Sequence, residues 1–356
     1  GADVGGIGMG LIRAIRPWNE WLIVWGYDIN EPAPDVDQKM ATDVARQLVG
    51  DPQLEIDLIS ANTWTVNDAY ATQMSKGRVF IMGDAAHRHP PSNGLGSNTS
   101  IQDAFNLAWK IAAVVKGQAG TDLLDSYNDE RAPVAKQIVT RANQSIGEFG
   151  PIFDALGMTG GTDVEKIKAN MDARCDSTPE AEAQRDALNA AIAFKKYEFD
   201  AHGVEMNQRY ASNATVTDGQ IEPDFALDAD LHYQPTTWPG ARIPHVWLFD
   251  DQGGKHSTLD LAGGGAFTLF TGLGGKAWAE AADRVAADLG IKLHAHVIGP
   301  RQTYVDHTGD WARAREVGDS GCILTRPDQH VCWRSDAVAE DTAAELTRVL
   351  SKILAR

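Results

Sequence analysis

Two apolar runs, 11–15 and 21–27, flank Arg16, Pro17, Trp18, Asn19 and Glu20, a pattern that predicts a β-hairpin with Pro17 setting φ at its bend. In the second run Trp21, Ile23, Trp25 and Tyr27 alternate with Leu22, Val24 and Gly26, so one face of that hairpin is aromatic. Those rings serve either as plain core or as the wall of a pocket for a flat ligand. A helix follows over 37–49, capped by acidic residues and closed by Gly50. Residues 78–82 read as a short strand. Ile101, Phe105, Ala108, Ala112 and Val115 recur at spacings of four, three, four and three, which predicts a helix over 101–115 with that stripe as its apolar face.

From 122 to about 189 the pattern is helical, with a Gly-rich interruption at 157–161, and 215–240 reads as a linker or wrapping arm. Beyond 266 the elements alternate: strand 267–271, helix 275–289 and strand 291–298. A hairpin then pairs 321–325 with 330–334 around Arg326, Pro327, Asp328 and Gln329, and a helix covers 340–354. This order describes a small α/β layer long enough to be its own domain. The whole chain is therefore of mixed α/β (α+β) class.

Composition narrows the function. The 356 residues carry 32 Lys+Arg against 49 Asp+Glu, a net charge of −17, so nucleic acid and anionic membrane are poor partners. No apolar run is long enough for a membrane helix and no signal peptide is visible, which makes the cytoplasm the expected compartment. Cys175, Cys322 and Cys332 form neither a disulfide framework nor a metal site. Cys322 and Cys332 flank the predicted hairpin and could face each other across it, but nothing marks either as a reactive thiolate.

The chemistry concentrates in residues 83–98, GDAAHRHPPSNGLGSN, between a predicted strand and a predicted helix, where α/β folds bind ligands. Gly83 lets the backbone approach a ligand, and Asp84 supplies a carboxylate acceptor at the strand end for sugar-like hydroxyls. Pro90 and Pro91 stiffen the loop, while Gly94 and Gly96 permit close or positive-φ backbone. Asn98 or Thr99 can cap the helix, leaving amides of Leu95, Gly96, Ser97 and Asn98 pointing ahead of it, where they favour an anion.

This loop, followed by the DAFNLAWKIA run that ends at Ala112, resembles the second flavin-binding motif of the class A FAD-dependent aromatic hydroxylases. Further blocks are similar to their phenol 2-monooxygenase and 2,4-dichlorophenol 6-monooxygenase branch: 16–21, Trp25 with Gly26 and Tyr27, 125–131 with Pro133, 299–301, 309–311, Gly321 with Cys322, and 326–328. The resemblance covers nearly the whole chain. It implies that Asp84 holds the ribityl chain of FAD, that Pro91 lies beside the isoalloxazine near the substrate, and that the Gly96, Ser97 and Asn98 amides meet the pyrimidine edge. Gly83, Gly94 and Leu95 complete the implied FAD set, and Trp25 joins Pro91 as a substrate contact. It further implies NADPH as reductant, O2 as co-substrate, ortho-hydroxylation of a phenol through a flavin C4a-hydroperoxide, a homodimer, and a C-terminal domain resembling thioredoxin without its redox cysteines.

The family also begins with a βαβ unit whose GxGxxG receives the FAD pyrophosphate, and carries a later Asp-Gly motif. The glycines of 5–10 do not fit GxGxxG, and Asp218 with Gly219 lacks the surrounding motif. The expectation is a C-terminal part of a longer hydroxylase that needs a missing N-terminal FAD-binding portion. Its parts would be a partial substrate domain at 1–75, the C-terminal part of the FAD domain at 76–214, a linker at 215–240 and a thioredoxin-like domain at 241–356. No catalytic base is assigned, and His87 and His89 read as structural or solvated. The alternative is a catalytically silent binding or assembly module, and a thiol redox protein is a third reading.

Overall fold

The computed structural model describes residues 10–28, 30–159, 163–217 and 219–356. The chain divides into two compact units: residues 1–66 with 150–191, and residues 67–149 with 192–356. The glycines at 5–9 and Asp218 lie outside the described residues.

In the first unit β1 (Gly10–Arg16) pairs antiparallel with β2 (Glu20–Trp25), the hairpin expected from the pattern. None of Trp21, Trp25 and Tyr27 is buried, so the aromatic face is not plain core. Helix α1 (Gln38–Val49) starts at Asp37, whose carboxylate accepts the amide of Met40 at 2.7 Å, and ends at Gly50.

The second unit opens with β3 (Ala69–Tyr70), β4 (Ser75–Lys76) and β5 (Val79–Phe80), and β4 pairs with β5. The strand expected over 78–82 shortens to β5 because a strand persists only where a ladder partner exists. Next come β6 (His87–Arg88), paired with β3, and α2 (Leu95–Val115). Then follow α3 (Asp125–Gly147), α4 (Gly150–Ala155), α5 (Val164–Ala173), α6 (Pro179–Phe194), α7 (Lys196–Phe199) and α8 (His202–Met206), of which α4, α5 and most of α6 belong to the first unit. Residues 219–240 hold no helix or strand, yet Val216 and Trp238 are buried, so this arm wraps a core.

The C-terminal layer contains β7 (Trp247–Phe249), β8 (Lys255–Ser257), α9 (Thr258–Leu261), β9 (Phe267–Thr271), α10 (Lys276–Leu289), β10 (Leu293–Val297), α11 (Asp310–Ala314), β11 (Cys322–Thr325), β12 (Val331–Ser335) and α12 (Thr342–Ile353). Its sheet runs β10-β9-β11-β12, with β10 parallel to β9 and the other pairs antiparallel. β9 is buried throughout. Phe267 and Leu269 pack with Trp278, Val285 and Leu350 from α10 and α12, while Phe270 packs with Ile298, Ile323 and Trp311 in a second cluster.

Cys322 and Cys332 do not face each other across β11 and β12. Cys322 is opposite Ser335 in the register, and the Cys332 thiol donates to the carbonyl of Leu324 at 3.3 Å. Burial pushes both thiols up, away from the thiolate a redox protein needs.

Candidate functional site

The strand–loop–helix expected at 78–115 is present, but its helix begins earlier. α2 starts at Leu95, with Gly94 at its N-terminal cap in the left-handed region (φ 64°) and no side chain capping it. Asn98 and Thr99 therefore lie inside the first turns and are not caps. The Asn98 side-chain amide donates back to the carbonyl of Gly94 at 2.9 Å. Gly94 supplies the positive φ, whereas Gly96 is helical and contributes only its small size beside the ring of His89. The backbone amides that open α2, at Leu95, Gly96 and Ser97, have no intrahelical acceptor. They favour negative charge ahead of the helix by about 0.3–2 kcal/mol.

The loop presents its candidate residues outward. Asp84, Pro91, Gly94, Ser97 and Asn98 are exposed, Gly96 is half-buried, and Gly83 and Leu95 are buried. Asp84 sits in a single 3₁₀ turn, Gly83–Ala85, rather than at a strand end. Its backbone carbonyl accepts from Arg88 Nε at 3.1 Å, and its carboxylate has no hydrogen-bond partner among the described residues. Trp25 belongs to the other unit, where it is half-buried opposite Gly10.

Neither histidine of the loop is free to act as a surface base. His87 is 2% exposed, with Nε2 2.9 Å from Asp103 Oδ2. His89 Nδ1 donates to the carbonyl of Pro90 at 2.6 Å, and the two rings lie near-parallel with centroids 6.4 Å apart.

The spacing argument did not reach what lies behind the loop. α2 buries Thr99, Asp103, Asn106, Leu107, Lys110 and Ala113, while Ile101, Phe105, Ala108 and Val115 of the expected apolar face are exposed. The buried face is polar because α3 and the β11–β12 turn supply opposite charge. Glu130 of α3 accepts from Lys110 Nζ at 2.7 Å, Asn106 Nδ2 at 2.6 Å, Ser212 Oγ at 2.6 Å and both terminal nitrogens of Arg326 at 2.5 and 3.0 Å. Asp328 accepts from Arg326 Nε and Nη2 at 3.0 and 2.7 Å and from Trp109 Nε1 at 3.1 Å. Burial alone would raise the Glu130 carboxyl, but Arg326 and Lys110 outweigh it and hold the group at about 2. Burial lowers the Lys110 ammonium to about 8 despite Glu130. Next to Glu130, Arg131 binds Asp103 Oδ1 at 2.6 Å and the hydroxyl of Tyr210 at 2.9 Å. The sequence signal for this network was the charged blocks 125–131 and 326–328, which the family resemblance singled out but no spacing rule joins.

Comparison with known proteins follows the same outline. Residues 3–142 match the model of an FAD binding domain and residues 236–356 that of an aromatic-ring hydroxylase C-terminal region. The chain is 50% identical over 357 residues to a 2,4-dichlorophenol 6-monooxygenase of Cupriavidus pinatubonensis, covering all of this chain and 60% of that protein. It is 52% identical to a phenol 2-monooxygenase of Pseudomonas sp. strain EST1001, covering 95% of this chain and 56% of the relative. The chain thus spans about 60% of the length of such relatives. Among solved structures, the flavin-dependent monooxygenase PieE in complex with FAD and substrate superposes with a TM-score of 0.87 at 42% identity, covering 97% of this chain and 59% of that one. A ternary complex of aklavinone-11 hydroxylase with FAD and aklavinone gives 0.72 at 29% identity, covering 94% and 55%.

Proposed function

Because the chain belongs to the flavoprotein aromatic-ring hydroxylases, we propose that it is the C-terminal part of an FAD-dependent monooxygenase that ortho-hydroxylates phenols, chlorophenols included, with NADPH as reductant and O2 as oxidant. The observation that carries this reading is the uncapped start of α2 facing an exposed loop with an unpartnered Asp84 carboxylate. The residues present suit one half of an FAD site. Asp84 would accept hydrogen bonds from the ribityl hydroxyls, and the amides from Leu95 to Ser97 would take the pyrimidine edge, which turns negative on reduction, with Asn98 beside them. Gly83 and Gly94 shape the turns between, and Pro91 offers a stiff wall without an N–H beside the substrate. Bound FAD supplies the redox chemistry by which one oxygen atom enters the ring. Trp25 is the residue proposed to meet a flat aromatic substrate.

The exposed stripe Ile101, Phe105, Ala108 and Val115 on α2 supports the missing-partner part of this reading, since a helix of an FAD domain buries such a face against a sheet. That sheet is the N-terminal FAD-binding portion that this chain needs. The domain reading remains 1–75, 76–214, 215–240 and 241–356. The order β10-β9-β11-β12 with α10 and α12 supports a thioredoxin-like C-terminal domain. A cytoplasmic homodimer completes the proposal.

Titration with FAD of the chain combined with its N-terminal FAD-binding portion, followed by flavin fluorescence, tests it. Asp84→Ala is expected to weaken binding about tenfold or more through loss of a charged acceptor, with an unchanged thermal midpoint. Equal affinity in the two proteins sinks the assignment of Asp84. No binding by the unsubstituted chain even with that portion present favours the catalytically silent assembly module.

A further inference from the structure

We infer that Asp103 is the positioning residue of the loop ahead of α2: its buried carboxylate fixes Gly83 and His87 and so sets where Asp84 and Pro91 stand. The role rests on the flavin reading above. The side chain reaches back from α2 and is gripped on both oxygens. Oδ2 accepts the amide of Gly83 at 3.1 Å and lies 2.9 Å from His87 Nε2, while Oδ1 accepts Arg131 Nε at 2.6 Å. Gly83 opens the turn that displays Asp84 and His87 lies just beyond its end, so one carboxylate holds the chain on both sides of Asp84.

The His87 side chain has no other polar anchor among the described residues, because its Nδ1 is buried without a partner. Its orientation therefore depends on Asp103. With an acceptor-only carboxylate at Nε2, that nitrogen carries the proton of the bond. The His87 ring in turn stacks on His89, whose Nδ1 donates to Pro90 immediately before Pro91. Asp103 itself is immobilised, since Arg131 also donates to Tyr210 and to the carbonyl of Thr99 at 3.3 Å. Burial would raise the Asp103 carboxyl, but His87 and Arg131 outweigh it and keep it ionised. Glu130 is an equally buried carboxylate one residue from Arg131, yet it touches nothing in the loop and so serves as the matched control.

The experiment is amide hydrogen exchange on the unsubstituted chain, Asp103→Asn and Glu130→Gln, each combined with the N-terminal FAD-binding portion and titrated with FAD. Asp103→Asn is expected to speed exchange across 83–91 roughly tenfold and to weaken FAD by a similar factor, whereas Glu130→Gln leaves 83–91 protected. Unchanged exchange in Asp103→Asn, or equal loosening of 83–91 by Glu130→Gln, overturns the role. His87→Leu provides a second test should Asp103→Asn fail to fold: it is expected to loosen 87–91 while Gly83 stays protected, and loss of protection at Gly83 overturns the proposal. No FAD bound by the unsubstituted chain together with that N-terminal portion overturns the flavin reading and leaves the exchange data to decide Asp103. FAD bound equally by the unsubstituted chain and Asp103→Asn overturns the positioning of the site.

Discussion

Gly83 is buried at φ 56°, and a Cβ there would lie 2.9 Å from Ser100 Oγ, which is itself bonded to the carbonyl of Gly96 at 2.8 Å. Two effects therefore oppose a side chain, left-handed backbone and displacement of a bonded hydroxyl. Gly83→Ala is expected to destabilise by about 1–3 kcal/mol, read as a lower urea midpoint at constant slope. Gly94 shares the left-handed backbone but has open space around it, so only the first effect applies. At this scale the turns of residues 83–98 were legible in part, because glycine and proline act locally, whereas the place of Asp84 in a 3₁₀ turn and of Asn98 and Thr99 inside α2 was not. Asp103 was not singled out, since nothing local distinguishes a helical Asp that grips a loop from one that meets water.

α2 shows how a correct period can still give the wrong face. Its apolar positions recur as a helix requires, yet the face buried in this chain is Thr99, Asp103, Asn106, Lys110 and Ala113. Periodicity reports which residues share a side; it does not report which side finds a partner first. Phe105→Glu is expected to change the stability of the chain by no more than about 0.5 kcal/mol, since the ring is 48% exposed, while abolishing association with a sheet-bearing N-terminal portion. Thermal denaturation measures the first effect, and co-purification of the two polypeptides the second. By contrast α1, α10 and α12 came out within two residues of their expected limits, because Asp37, Asp341, Gly50 and Gly290 mark their ends chemically.

Across the larger unit, the Glu130, Lys110, Arg326 and Asp328 network ties α2 and α3 to the turn between β11 and β12. All four side chains are fully or almost fully buried. Arg326→Met is expected to cost about 3–5 kcal/mol, because it strands two carboxylates away from water. Adding Glu130→Gln to it should recover part of that loss, which a double-mutant cycle of thermal midpoints would show. Glu130 is depressed from 4.5 to about 2 in the folded state, so between those values the unfolded chain binds more protons. Its stabilisation is present above about pH 4.5 and is lost as pH falls towards 2. Midpoints measured from pH 6 to 2 should therefore decline, with the part due to this group missing in Glu130→Gln. Lys110 has the same sign of slope in another window: with a folded value of about 8 against 10.5, stability should rise as pH climbs between them.

By itself the sequence determined the elements whose cause is local: the β1–β2 hairpin, the capped helices, the alternating C-terminal layer and the turn-rich loop ahead of α2. Short-range rules of period, cap and turn act there, and the chain carries them in order. Tertiary structure alone decided which face of α2 is covered, that Cys322 and Cys332 lie out of register, and that Glu130 and Arg326, 196 positions apart, share one buried pair. Those outcomes depend on desolvating charges against partners remote in the chain, and no local pattern encodes which distant residue will supply the opposite charge.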